Sequence, residues 1–360
     1  MPEKIFQKVE RNNPVPLYIQ VKEAIRRAIV EGILKPRQLL PSERQMCHLF
    51  GVSHISIRQA LVELTRDGLL FRVPGKGTYV AEKLCSAEKG GAPIGIVIPS
   101  TNGGLCSPFV SDFLLGIKSV TCTHGQDVLV FTDTENGYLE PGKKNSLQGV
   151  ILTEPTFSDN RVKKLQKMGT PFVVLGRTQE QNVSTVDVDH QKIFYLLTEH
   201  LLKSGHKKIG FINGPKRLTV CQDKLNGYRM ALQKYGIGYE KTLVKHGAFS
   251  EISGYENARK ILKYSPTALV CADDFISVGA LRAIREKGLS VPEDISLCGC
   301  HNSSFTQHTI PSLTTADIFP SLLGRKAAEK LIRLIRGEKV ELRTIIPGKI
   351  LIRESTRRIR

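Results

Sequence analysis

The sequence predicts a protein in two parts: a short helical unit closed by a β-hairpin, then a larger α/β unit built on parallel sheets. Three observations carry that expectation. Up to residue 81, three helix-spaced apolar patterns are followed by two short strand patterns around a glycine-rich tip. Beyond residue 93 the rhythm changes to short apolar runs alternating with amphipathic stretches, the alternation of strand and helix in a parallel sheet. And 360 residues exceed what one ordinary core holds together.

The first helix follows Pro16, with Leu17, Val21, Ile25, Ala28 and Ile29 recurring at helical spacing until Gly32 stops it. Ser42 with Gln45 three residues on has the form of a capping box and opens a second helix that ends at Phe50-Gly51. Ser53 caps a third, in which Ile57, Ala60, Leu61 and Leu64 form the buried stripe, leaving His54, Ile55, Arg58 and Gln59 near one exposed edge. Gly68 closes it. LLFRV and TYV then flank Pro74-Gly75-Lys76-Gly77 as a hairpin. Two helices, a tight turn containing Gly51, a third helix and a hairpin make a winged helix-turn-helix. A helix that reads DNA presents short or basic side chains at its N-terminal end, and Ser53, His54 and Arg58 meet that need. Lys76 at the wing tip is placed to reach phosphate or the minor groove.

Composition narrows the function classes. The formal net charge is +18, and residues 1–83 hold 14 Lys/Arg against 8 Asp/Glu, a balance that suits a polyanionic partner as well as a solvated surface. No run approaches the roughly 18 apolar residues of a membrane span. The N-terminus is polar, so a cytoplasmic location is expected. Eight cysteines (47, 85, 106, 122, 221, 271, 298 and 300) form no CxxC pair and are expected as buried thiols rather than metal ligands or disulfides. No P-loop, G-x-G-x-x-G after a strand, G-x-S-x-G or H-E-x-x-H is present, so no cofactor, metal or enzyme activity is expected. Asp189-His190 and Glu199-His200 read as surface or packing residues.

Residues 16–81 resemble the DNA-binding domain of the GntR family, with PLYIQV, LPSERQ, FGVS, IRQAL, DGLL and GKGTYV all in order. The resemblance implies DNA contacts at Arg44, Ser53, His54, Arg58, Gly75 and Lys76. Two positions depart from it. His54 stands where the family usually has arginine, and Arg37 replaces the glycine of a Pro-Gly turn.

Residues 82–92, EKLCSAEKGGA, read as a linker. After it IGIVIP, DVLVFTD, GVILTE, PFVVLG, KIGFIN, TALVCAD and ISLCGC are strand-like runs of the buried parallel type. FVSDFLLGIKSVTCTHG, QKIFYLLTEHLLKSG, LNGYRMALQKYG and FISVGALRAIREKG are the helices between them. Residues 320–337 form one more helix before a final strand-like stretch, IIPGKILIRES.

Residues 93–356 resemble the effector domain of the LacI/GalR family, most densely in VDVDHQKIFYLLTEHLLKSGHKKIGFINGP, GYRMAL, PTALVCADDFISVGALRAIREKGLSVPEDISLCGC and IPSLTT. That resemblance implies a periplasmic-binding-protein-like pair of Rossmannoid subdomains around a ligand cleft. Crossovers fall near 178, 318 and 340, so one subdomain takes 93–178 and 319–340, the other 179–318 and 341–360. It places Phe109 as an aromatic over the ligand and Lys224 where the family has arginine. Asp273 is a polar strand-end residue, and His301 stands where the family has a carboxylate. Gly176 replaces a frequent aspartate and precedes Arg177; Phe319 is an aromatic at the second crossover, and Glu154 is a further polar candidate. Residues 134–148 are shorter than the family's helix there.

Together the two resemblances imply a DNA-binding regulator, a repressor of carbohydrate-utilisation genes similar to arabinose-repressor-type hybrids. Its expected partners are operator DNA, a small effector (a sugar first, a nucleobase second) and a second copy of itself. Two other classes stay open at this point: a small-molecule binding protein with a vestigial DNA reader, and an enzyme on the α/β unit. The basic tail STRRIR reads as a solvated end.

Overall fold

A computed structural model describes Val9 and residues 16–66, 68–73, 77–81, 92–98, 107–132 and 147–359. The linker, the wing-tip residues Gly75 and Lys76 and the shortened stretch after Thr132 lie outside these. The chain divides into two compact units, the helices and hairpin up to Ala81 in one and the strands from Ile94 onward in the other.

In the first unit α1 (Leu17–Val30), α2 (Glu43–Phe50) and α3 (His54–Arg66) pack around Val21, Ile25, Met46, Phe50, Ile57 and Leu64, all buried. Ser42 forms the expected capping box: its Oγ accepts the Gln45 N–H while the Gln45 side chain takes the Ser42 N–H. Gly51, with φ 68°, ends α2 in the left-handed geometry that glycine adopts without strain. β1 (Leu70–Val73) and β2 (Gly77–Val80) pair antiparallel as the hairpin. Arg37, at the glycine position, takes φ 62°.

The second unit has two lobes. In the first, six parallel strands run in the order β13-β7-β6-β5-β3-β4: Arg343–Ile346, Thr185–Val188, Phe172–Leu175, Gly149–Leu152, Ile94–Ile98 and Val128–Thr132. Helix α4 (Pro108–Thr121) crosses α10 (Pro320–Ile335) backbone against backbone, because Gly116 faces the Ser321 carbonyl and Gly324 the Phe113 carbonyl. Helix α5 (Asn160–Met168) buries Val162 and Leu165. In the second lobe β11-β10-β8-β9 (Ser296–Cys298, Ala268–Cys271, Ile209–Asn213 and Val244–His246) are also parallel. Helices α6 (His190–Lys203), α7 (Thr219–Lys234), α8 (Glu251–Ile261) and α9 (Asp274–Glu286) flank that sheet. β12 (Thr315–Asp317) and β14 (Lys349–Leu351) form an antiparallel pair of their own.

Two of the expected crossings move. Thr185–Val188 and Arg343–Ile346 pair with each other in the first lobe, so the chain crosses after 188 and after 346 rather than near 178 and 340. The reason is local. Each strand completes a sheet edge whose hydrogen bonds would otherwise be unmade, and IIPGKILI splits at Pro347-Gly348 into two strands of different sheets. The basic tail is not a free end: Arg357 N–H donates to Ser296 Oγ and Ile359 N–H to the Ser204 carbonyl. Among the described residues no helix is long and apolar enough to cross a membrane.

Candidate effector cleft and DNA-reading face

On the first unit, the N-terminal end of α3 is exposed from Ser53 to Ile55, and Arg58 lies one turn further on. Ser53 Oγ is engaged as the helix cap, accepting the Ser56 N–H at 3.3 Å. His54 does not point freely outward: its Nε2 lies 3.0 Å from the Glu43 carboxylate of α2, which also attracts Arg72 of the hairpin at 3.7 Å. Arg58, Arg72 and Glu43 share one groove with Thr65 and Thr78. Arg44 is exposed beside Glu43. The structure therefore groups Ser53, His54 and Arg58 and adds two residues that sequence reading missed, Glu43 and Arg72. Their signals were present: Glu43 sits inside the LPSERQ motif, and Arg72 falls on the outward side of its strand.

The second unit holds a cleft, partly open to solvent, whose walls include Phe109, Glu154, Asp187, His190, Lys224, Phe249, Asp273 and His301. Strand ends and helix starts place these groups. Asp273 follows β10 and caps α9, its Oδ1 accepting the Ile276 N–H at 2.7 Å. Burial pushes its carboxyl up to about 6 against the pull of that bond and of Lys224. Lys224, on α7, is 1% exposed. Its ammonium donates to the Ala272 carbonyl at 2.8 Å and lies 5.2 Å from the Phe249 ring and 5.3 Å from Phe194. His301 stacks at a tilt 5.2 Å from Phe109. Burial, then the Lys224 charge, holds both His301 and His190 well below the usual histidine range, so both rings are neutral. Asp187 is pushed up to about 7 by burial.

Five of the seven expected cleft residues come together: Phe109, Glu154, Lys224, Asp273 and His301. Two do not. Arg177 turns to Asp223 in a two-pronged pair at 2.8 and 3.1 Å, because a guanidinium matches a carboxylate on neighbouring α7 better than an open cleft. Phe319 becomes the N-cap of α10 at φ 52° and packs on the core. His190, expected as a surface or packing residue, is buried at the first position of α6 and stands in the cleft wall, with Nδ1 unpartnered among the described residues. Asp187 and Phe249 were also missed. No local spacing marks them, since they enter the wall from β7 and from the loop after β9. Mixed carboxylate, ammonium, neutral imidazole and phenyl surfaces can grip a ring that carries both hydroxyls and an apolar face.

A winged reader joined to a two-lobed domain with a cleft defines a class, the ligand-responsive transcription regulators. Comparison with known proteins agrees. Residues 17–80 match the bacterial regulatory proteins of the gntR family, and residues 198–356 a periplasmic binding protein-like domain. The arabinose metabolism transcriptional repressor of Geobacillus stearothermophilus is 29% identical over 97% of this chain and 100% of its own. The HTH-type transcriptional regulator CelR of Thermobifida fusca is 30% identical over 73% of this chain and 80% of its own. A solved complex of the transcriptional regulator CelR with cellobiose superposes with a TM-score of 0.68 at 28% identity, covering 84% of this chain and 91% of that one. The chain belongs to the bacterial transcription regulators that join a GntR-family DNA reader to a LacI-type, periplasmic-binding-protein-like domain.

Proposed function

We propose that this regulator is a repressor whose operator affinity is set by a sugar in the cleft of its second unit, and that it works as a homodimer. The observation that carries the sugar reading is the cleft's pairing of phenyl walls, Phe109 and Phe249, with Asp273, Lys224 and His301 in one cleft partly open to solvent. The rings supply an apolar face, and the polar groups supply both donors and acceptors for hydroxyls. The cellobiose complex of CelR and the arabinose repressor support the same class of ligand. On the DNA side, Arg44, Ser53, His54, Arg58, Gly75 and Lys76 are the proposed contacts, with Arg72 beside them. Exposed Leu115 on α4 and Leu322 on α10, helices that pack together, support a dimer face on the first lobe.

Calorimetric titration of the full chain with cellobiose, L-arabinose and D-ribose tests the cleft directly. One of them should bind, and Asp273→Ala should weaken it roughly tenfold or more, the factor a lost hydrogen bond to a charged group is worth. A sugar that binds both forms equally would place it outside this cleft. No binding at all, with operator binding intact, would remove the sugar from the account and keep the DNA reader.

A further inference from the structure

Three residues other than glycine hold left-handed backbone where the cleft meets a chain crossing. His301 (φ 110°) and Asn302 (φ 54°) follow β11, and Phe319 (φ 52°) lies between β12 and α10. L side chains adopt such geometry rarely, and only where their surroundings fix it.

The Asn302 side chain is what ties these positions together. Its Nδ2 donates to Asp317 Oδ2 at 3.0 Å, and its Oδ1 accepts from the Arg353 guanidinium at 2.7 Å. A guanidinium only donates and a carboxylate only accepts, so the partners fix which way the amide faces. Asp317, the last residue of β12, uses its other oxygen to accept the Phe319 N–H at 2.8 Å. Arg353, two residues past β14, also donates to Thr306 Oγ1 and the Leu313 carbonyl.

The same chain of bonds continues toward the cleft. Thr315 Oγ1 donates to Asp274 Oδ1 at 2.7 Å and accepts a long bond from the Asn302 N–H at 3.4 Å. Asp274 Oδ2 accepts the Ser303 N–H at 2.8 Å. Asp274 is the residue after Asp273, and Asn302 the residue after His301, both of them in the cleft wall. At its far end the chain reaches the first turn of α10, which belongs to the other lobe. Burial, and after it the charge of Asp317, pushes up the Asp112 carboxyl on α4, so the first lobe feels Asp317 too.

We propose that Asn302 and Asp317 are positioning residues that carry the state of the cleft to the start of α10, through the Asn302–Asp317–Phe319 link. A ligand against His301 fixes the left-handed pair 301–302. Asn302 then holds Asp317, and Asp317 holds the first turn of the helix that packs on α4. Neither residue lines the cleft, so removing the link separates binding from response. The proposal rests on the reading that the cleft takes an effector.

Amide hydrogen exchange on the full chain tests it, with and without whichever of cellobiose, L-arabinose or D-ribose binds. Asn302→Gly deletes both side-chain bonds while glycine keeps the left-handed backbone. Asp317→Asn is the second variant, close in shape, setting an amide against the Asn302 amide. In the wild type the bound sugar should slow exchange in the first turn of α10 roughly fivefold or more, the factor one such hydrogen bond is worth. In both variants the sugar should bind with nearly unchanged affinity and no longer slow α10. Protection of α10 that survives in both variants would overturn the link, and so would a loss of sugar binding in step with the loss of protection. Should none of the three sugars bind, the effector reading falls by itself and the unliganded exchange decides the link. Asn302→Gly must then quicken the first turn of α10 roughly fivefold without quickening α8 or α9, and unchanged α10 exchange would sink it.

Discussion

Arg37 sits in the left-handed region at φ 62°, with its N–H bonded to the Val80 carbonyl. That geometry costs an L side chain roughly 1 kcal/mol or more. Arg37→Gly should therefore stabilise the first unit by about 0.5–1 kcal/mol, less than the full strain because glycine also loosens the unfolded chain; a denaturant midpoint reads it. Asp187 offers a test with a definite sign. Its carboxyl is held at about 7 against an ordinary 3.8, so the folded protein keeps a proton there that the unfolded chain loses. Stability from this group therefore falls as pH rises between those two values and is level above. Asp187→Asn still accepts the Val188 N–H that Asp187 accepts at 2.8 Å. Its melting temperature should exceed the wild type's at about pH 8 and converge with it near pH 4. His190 works the other way, being held neutral, and the substitution leaves that slope in place. At this scale the sequence was partly legible. Asp273 and His301 were placed by the family resemblance, supported by their position at strand ends on the side of a parallel sheet where ligands bind. His190 and Asp187 were not, because strand β7 itself was not seen.

The elements were legible where their apolar pattern was long. Ile94–Ile98, Gly149–Leu152 and Ala268–Cys271 are fully buried runs, and each was visible as such. Thr185–Val188 was not, since a polar Thr-Val-Asp-Val run declares itself only when β6 and β13 pair with it. Val244–His246 is too short, and α5 buries only Val162 and Leu165 of its nine residues. The α4–α10 crossing could not be read from spacing at all, because it depends on two glycines far apart in sequence. A side chain at Gly116 would meet the backbone of Ser321 and Arg325, which neither helix can yield without parting. Gly116→Val should cost roughly 1–3 kcal/mol or more in urea unfolding, and a neutral result would mean the helices are not in backbone contact.

For the whole molecule, the order of the two parts was legible because each carries its own rhythm, helix spacing first and strand–helix alternation after. What joins the lobes was legible only in part, since two of the three crossings are fixed by strand pairing across more than 150 residues. A basic reader and a ligand cleft lead to one coupled behaviour: operator binding that weakens with salt as phosphate counterions are displaced, and that a cleft ligand shifts by its differential affinity for two states, about 1–3 kcal/mol. Fluorescence anisotropy of the full chain on its own upstream DNA, at two salt concentrations and with each sugar in turn, measures both at once. The account predicts salt-sensitive binding that Arg58→Ala weakens and that one sugar changes roughly five- to 150-fold. Specific binding that no salt change and no Arg58 substitution weakens, or no specific binding at all, would contradict it.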